Sequence, residues 1–141
     1  MAYLNGGYSP VEFPDLLREY EGNGTALLGN WGASPSGVDL YLRKNGYKTT
    51  FVTGPDLEQD GNGYERLQSQ YDVYIMSSWN IKGQITEGVH TMAITKGENG
   101  KFFVHNSFAQ NPIEYDSLES AVLLYHGGDS DPISLIGVGK K

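Results

Sequence analysis

The chain has no cysteine in its 141 residues. That absence excludes disulfides, thiolate metal sites and a thiol nucleophile drawn from these residues. Cations are also scarce, with ten Lys and Arg against seventeen Asp and Glu and a formal net charge of −7. Nucleic-acid binding needs clustered Lys and Arg to neutralise phosphates. The only such clusters are Arg43-Lys44 and Lys140-Lys141, so a nucleic-acid partner is not expected. No apolar run approaches the length that spans a bilayer, and residues 1–20 lack the charged-then-apolar order of a secretion signal. The expectation is a cytoplasmic protein with no membrane segment. What is present suits one domain over residues 1–141, since 38% of the residues are hydrophobic and 12% aromatic, enough for a core. Nineteen glycines without a period promise many turns rather than a repeat.

Taken in order, the pattern predicts helices first and a sheet afterwards. Met1–Asn5, stopped by Gly6-Gly7, reads as the last turn of a helix. Phe13, Leu16, Leu17 and Tyr20 lie at helical spacing behind Pro14, and Gly22 ends that segment. Ser34-Pro35 opens a second helix with Val38, Tyr41 and Leu42 as its apolar stripe, closed by Asn45-Gly46. Tyr47–Thr53 alternates and reads as a strand; Tyr64–Gln70 reads as a short helix with Leu67 inward. Tyr71–Asn80 is a mostly apolar run suited to a central strand. Asn111-Pro112 marks a turn, Ser117 caps a helix over Leu118–Tyr125, and Ile133–Val138 is a last strand. The layout is α+β rather than alternating βαβ units.

The chemistry concentrates between Gly88 and Ser107. Two strand-like runs, Val89–Thr95 and Lys101–Asn106, flank Gly97-Glu98-Asn99-Gly100, a hairpin signal because such residues accept positive φ cheaply. Folding there brings His90 towards Asn106. Side chains alternate on strands, so His90, Met92 and Ile94 share one face, as do Phe102, Val104 and Asn106 on the partner. Where those faces coincide, an imidazole lies beside a carboxamide with apolar residues behind both. A histidine whose ring and tautomer are fixed by an amide is half of a thiol-protease constellation. His105 falls on the face opposite Asn106 and is expected to be structural or exposed.

Other motifs weigh less. The glycine-punctuated segment Asn23–Gly32 lacks the Gly-Lys-Ser/Thr ending and the preceding strand of a phosphate cradle. Asp56–Asn62 resembles the start of a calcium loop, but its twelfth position is Leu67, which cannot supply the bidentate carboxylate, and a solvated acidic turn is expected. His126, Asp129 and Asp131 sit too close on a glycine-rich loop, with no second cluster, to make a metal site. No metal and no cofactor are expected.

The run Gly88-Val-His-Thr-Met-Ala-Ile94, with the hairpin and Val104-His-Asn-Ser107, resembles the His and Asn/Asp strands of papain-like cysteine peptidases. Within them it is similar to the bacterial group of double-glycine leader (bacteriocin-processing) peptidases. Phe13–Gly24, Ala26-Leu-Leu-Gly29, and Ser34-Pro35 with its helix and Asn45-Gly-Tyr-Lys48 resemble the segment that follows the nucleophile helix in that group. The resemblance implies a papain-like fold, with N-terminal helices packed on an antiparallel sheet. It implies His90 as base and then acid, Asn106 as the group holding the imidazole, and Trp79 as an aromatic lining the substrate site. The substrate would be a peptide or protein.

The family places a Cys at the start of an N-terminal helix and an oxyanion-hole Gln just before it. Met1–Asn5 looks like the end of that helix, so both residues would fall upstream of Met1. Two readings stay open, a fragment of an active peptidase and a degenerate relative; both predict that this chain alone is inactive. The alternatives are a non-catalytic peptide-binding or regulatory module on the old scaffold, and a thiol acyltransferase or amidase relative. A missing helix would leave an apolar groove, so a dimer or higher homo-oligomer is expected.

Overall fold

Among the described residues six strands form a single sheet, and the last of them in sequence lies second from one edge. The computed structural model of the chain describes residues 35–59, 63–79, 89–105, 112–124 and 132–140, with Glu58, Gln59, Val89 and His90 described by backbone alone. Strands β1 (Lys48–Thr53), β2 (Val73–Trp79), β3 (Val89–Lys96), β4 (Phe102–His105), β5 (Ile113–Tyr115) and β6 (Pro132–Gly139) run in the order β1-β6-β2-β3-β4-β5. Every pairing is antiparallel. Among the described residues four helices accompany them: α1 (Pro35–Lys44), α2 (Gly54–Gln59), α3 (Gly63–Gln70) and α4 (Leu118–Leu124). The α+β class read from the sequence is the class observed.

Local chemistry sets the element ends. Helix α1 closes on a two-bond C-terminal motif, in which Tyr47 N–H donates to the Leu42 carbonyl at 3.1 Å and Gly46 N–H to that of Arg43 at 3.0 Å. Gly46 has φ 87°, the left-handed conformation that such a cap demands. The β3–β4 hairpin closes with a bond from Gly100 N–H to the Gly97 carbonyl, 3.0 Å. Gly100 alone of the two carries positive φ, 77°, while Asn99 Oδ1 accepts from Lys101 N–H at 3.0 Å. Ser117 caps α4 through its Oγ, which accepts from Ser120 N–H at 3.0 Å.

The sheet is buried on both faces at its centre. On one face α1 lays Val38, Tyr41 and Leu42, with Tyr47, over Val73, Ile136 and Val138. The other face holds the larger cluster, in which Tyr74, Met76, Met92, Ile94, Phe102, Val104 and Leu135 meet side chains of α2, α3 and α4. Tyr71 crosses above the strand pair β2–β6 and needs Gly137 beneath it, because a Cβ there would lie 2.3 Å from the ring. Its hydroxyl reaches Thr50 Oγ1 at 2.5 Å, tying β1 to the same corner.

Three sequence expectations meet a different outcome or none. The acidic turn at Asp56–Asn62 is in its first part helix α2; Thr53 Oγ1 donates to Asp56 Oδ2 at 2.8 Å and fastens the first turn. Residues 60–62 lie outside the described residues. Strand β5 begins directly after Pro112, where no strand was anticipated, because three residues are too few to show alternation. The helices expected at Met1–Asn5 and Phe13–Gly22 lie outside the described residues.

Tyr74 is the core's buried polar anchor, with its hydroxyl donating to the Tyr71 carbonyl and lying 3.3 Å from that of Leu67. Burial drives the phenol's pKa well up, and the nearby Asp72 carboxylate adds to the rise. The folded chain therefore keeps a proton that the unfolded chain releases near pH 10, so this stability is full below about pH 10 and is lost as pH rises beyond it. In Tyr74→Phe, unfolding at neutral pH is expected to be easier by about 1 kcal/mol. Denaturation curves from about pH 9 to about pH 11 should fall less steeply than in the unsubstituted chain.

Candidate functional site

The register builds a hydroxyl-rich end to the sheet. Thr53 pairs with Ser134, Ser134 with Ser77, and Ser77 with Thr91, so one row crosses β1, β6, β2 and β3. Directly opposed residues share a face, and every member of the row is a hydroxyl. One step along the strands, the parallel row is Phe51, Ile136, Ile75 and Ala93, which is wholly apolar. Ser77 and Ser134 are buried, at 1% and 0% exposure. Ser77 Oγ and Thr91 Oγ1 meet at 3.1 Å, whereas Ser134 Oγ has no partner among the described residues.

The opposite face of the same end carries Ser78. It is fully buried, pairs with His90 on β3 and with Pro132 on β6, and its Oγ has no partner among the described residues. Between Ser77 and Ser78 the β2–β6 register jumps from Ser134 to Pro132, leaving Ile133 as the extra residue of a bulge. Bulges re-aim side chains, and they concentrate at strand ends and beside functional sites. The bulge is held from outside by Gly54, the first residue of α2, whose hypothetical Cβ would stand 2.1 Å from the Pro132 carbonyl oxygen. Only a residue with no side chain fits there.

The expected site residues distribute as follows. His90 is the second residue of β3, opposite Ser78. Asn106 lies outside the described residues, directly after His105, the last residue of β4. The register pairs Ile94 with Val104 and Lys96 with Phe102. The faces expected to coincide do so for Met92, Ile94, Phe102 and Val104, which are buried in one cluster. Trp79 ends β2 opposite Val89, is half-buried, and by alternation falls on the face away from Ser78. His105 is exposed, with Nε2 at 2.8 Å from Thr95 Oγ1, in keeping with the peripheral place expected for it. His126, Asp129 and Asp131 lie outside the described residues.

Charge gathers at the other end of the sheet. There Lys48, Asp72, Lys96, Lys101 and Asp116 flank the opposite strand ends, and the Asp116 carboxylate, by hydrogen bond and charge, raises the pKa of the exposed Lys101 ammonium. Among the described residues no group of three His, Cys, Asp or Glu side chains could hold a metal, and no helix is long and apolar enough to cross a membrane. From sequence, Ser77 and Ser78 fall at the end of the central strand with no signal that they replace a thiol, and their meeting with Ser134 and Pro132 depends on β6 entering beside β2. The one local trace was the Ser77-Ser78 pair ending an otherwise apolar run.

Substitutions here should separate partnered from orphan hydroxyls. Ser77→Ala breaks the bond to Thr91 and is expected to cost about 1 kcal/mol, whereas Ser134→Ala should be neutral or stabilising. Gly54→Ala should be the most damaging, by about 2 kcal/mol or more, because its new atom meets backbone. Urea unfolding of the three variants checks the ranking. Compared with models of known protein families and with curated proteins, the chain matches none of them.

Proposed function

We propose that the chain is a cysteine-peptidase-like domain on a papain-like scaffold, inactive on its own because its residues include no thiol. In the reaction such a scaffold serves, a thiolate attacks a peptide carbonyl. His90 takes the thiol proton and later returns it to the leaving amine, while Asn106 holds the imidazole in the productive orientation. The observation that supports this reading is the β2–β3–β4 register. It aligns the Met92–Ile94 and Phe102–Val104 faces, and β4 ends one residue before Asn106. His90 belongs to the same hairpin, on the strand between β2 and β4. The bulge and the buried hydroxyls lie at that same end of the sheet.

A second reading draws on the absence of cysteine from all 141 residues. Binding without cleavage needs a groove with an apolar lining and a few placed polar groups, with no nucleophile. A peptide-binding or regulatory module therefore remains the alternative function of the same scaffold.

The experiment reads the histidine directly. In isotope-labelled protein the two ring nitrogens of a neutral histidine are well separated when one tautomer is held and converge when neither is. Asn106→Ala should draw the His90 nitrogens together and leave those of His105 apart. Unchanged His90 signals in that variant would remove the proposed pairing. Incubation with unstructured peptides should give no cleavage products, and binding of the same peptides, followed as shifts at β2 and β3, would favour the module.

A further inference from the structure

Cations are few in this chain, and the fold gathers several of them at one corner. Arg43 and Lys44 are the last two residues of α1, and the turn at Gly46 returns the chain to Lys48 at the start of β1. Lys48 pairs with Gly139 at the end of β6, the residue before Lys140. Neighbouring strands lie about 5 Å apart, so Lys48 and Lys140 flank one another. Two basic clusters that are short and far apart in sequence thus meet at the end of the sheet remote from the hydroxyl row.

Arg43 is built into that corner rather than hung from it. Its Nε donates to Thr49 Oγ1 at 2.9 Å and lies 2.9 Å from Asp39 Oδ2, while Thr49 Oγ1 donates to Asp39 Oδ1 at 2.6 Å. This closed triangle fixes the guanidinium from its inner side. The side chain is nevertheless 57% exposed, and its two terminal nitrogens have no partner among the described residues. A planar fork of that kind matches a carboxylate with two parallel hydrogen bonds. Lys48 and Lys140 are exposed, and neither side chain has an ion pair among the described residues. The flanking carboxylates are Asp39, already engaged by Arg43 and Thr49, and Asp72, which precedes β2 on the far side of β6.

We propose that this corner docks an acidic segment of a partner protein, Arg43 taking one carboxylate end-on while Lys48 and Lys140 take its neighbours. Charge complementarity selects the occupant, because the corner is basic in a chain whose net charge is −7. Screening limits each exposed charge to about 8 Å at physiological salt, so a ligand at the corner is not repelled by acids elsewhere on the chain. A nucleic acid fits less well, since its continuous phosphates would run past three cations onto an acidic surface. The docking surface stands apart from the peptidase-like reading and does not depend on it.

The test adds a polyglutamate peptide to the full chain and follows the backbone amide signals, with a Gly-Ser peptide of equal length as the uncharged control. Polyglutamate should shift Arg43, Lys48, Thr49, Gly139 and Lys140 and leave Ser77, Ser78 and Ser134 unmoved. Raising salt from about 50 to about 200 mM should weaken binding several-fold. The double variant Lys48→Gln/Lys140→Gln changes only exposed side chains and should lose about fivefold or more in affinity. Arg43→Lys keeps the charge without the fork and should lose about threefold. Lys101→Gln, before β4 at the same end of the sheet, should bind as the unsubstituted chain does. Absence of shifts, equal shifts with the Gly-Ser peptide, or undiminished binding in either the double variant or Arg43→Lys overturns the proposal. Tighter binding of a DNA oligonucleotide, or of phosphatidylserine vesicles, than of polyglutamate overturns the acidic segment as the occupant.

Discussion

Strand β6 is hydrogen-bonded along both edges, to β1 and to β2, and buried on both faces. Its buried positions divide between two layers. Leu135 joins the large cluster beneath α2, α3 and α4, while Ile136 and Val138 join the layer under α1. Gly137 is the exception that makes the arrangement possible, because Tyr71 occupies the volume a side chain would need. Without β6 strand β1 would have no partner in the sheet, since β1 and β2 do not pair with each other. The hydroxyl row exists only because this strand brings Ser134 between Thr53 and Ser77.

The two ends of the sheet divide the labour. At one end charged residues meet water, and their ion pairs, such as Lys101 with Asp116, are exposed and worth little. At the other end hydroxyls are buried, where each unpaired group is costly and a geometry must be maintained to justify it. Backbone irregularity sits at that same end, in the bulge at Ile133 and in the close approach of Gly54 to Pro132. Concentrating orphan polar groups and irregular backbone in one place is what a site asks of a fold and what a core avoids.

Much of the local structure was legible in the sequence, for reasons of short range. Gly46 and Gly100 announced the left-handed positions that end α1 and turn the hairpin, and Ser117 announced the cap of α4. The alternation of Met92 and Ile94 against Phe102 and Val104 correctly matched two faces across that turn. What sequence did not reveal was long-range order. Nothing local in Pro132–Gly139 says that it enters between β1 and β2, so the partners of Ser77 and Ser78 were invisible. Helix α2 was missed because its acidic composition reads as a solvated turn, while its first turn is fastened by Thr53 from the preceding strand.

The position of β6 also bears on how the chain reaches its shape. Strand β6 must dock between two strands made well before it, so β1 and β2 each hold an open inner edge until β6 is available. Such edges are templates for wrong partners, and closure over so long a loop is slow. The sheet cannot close until β6 arrives, and what that strand covers on docking is backbone as much as side chain.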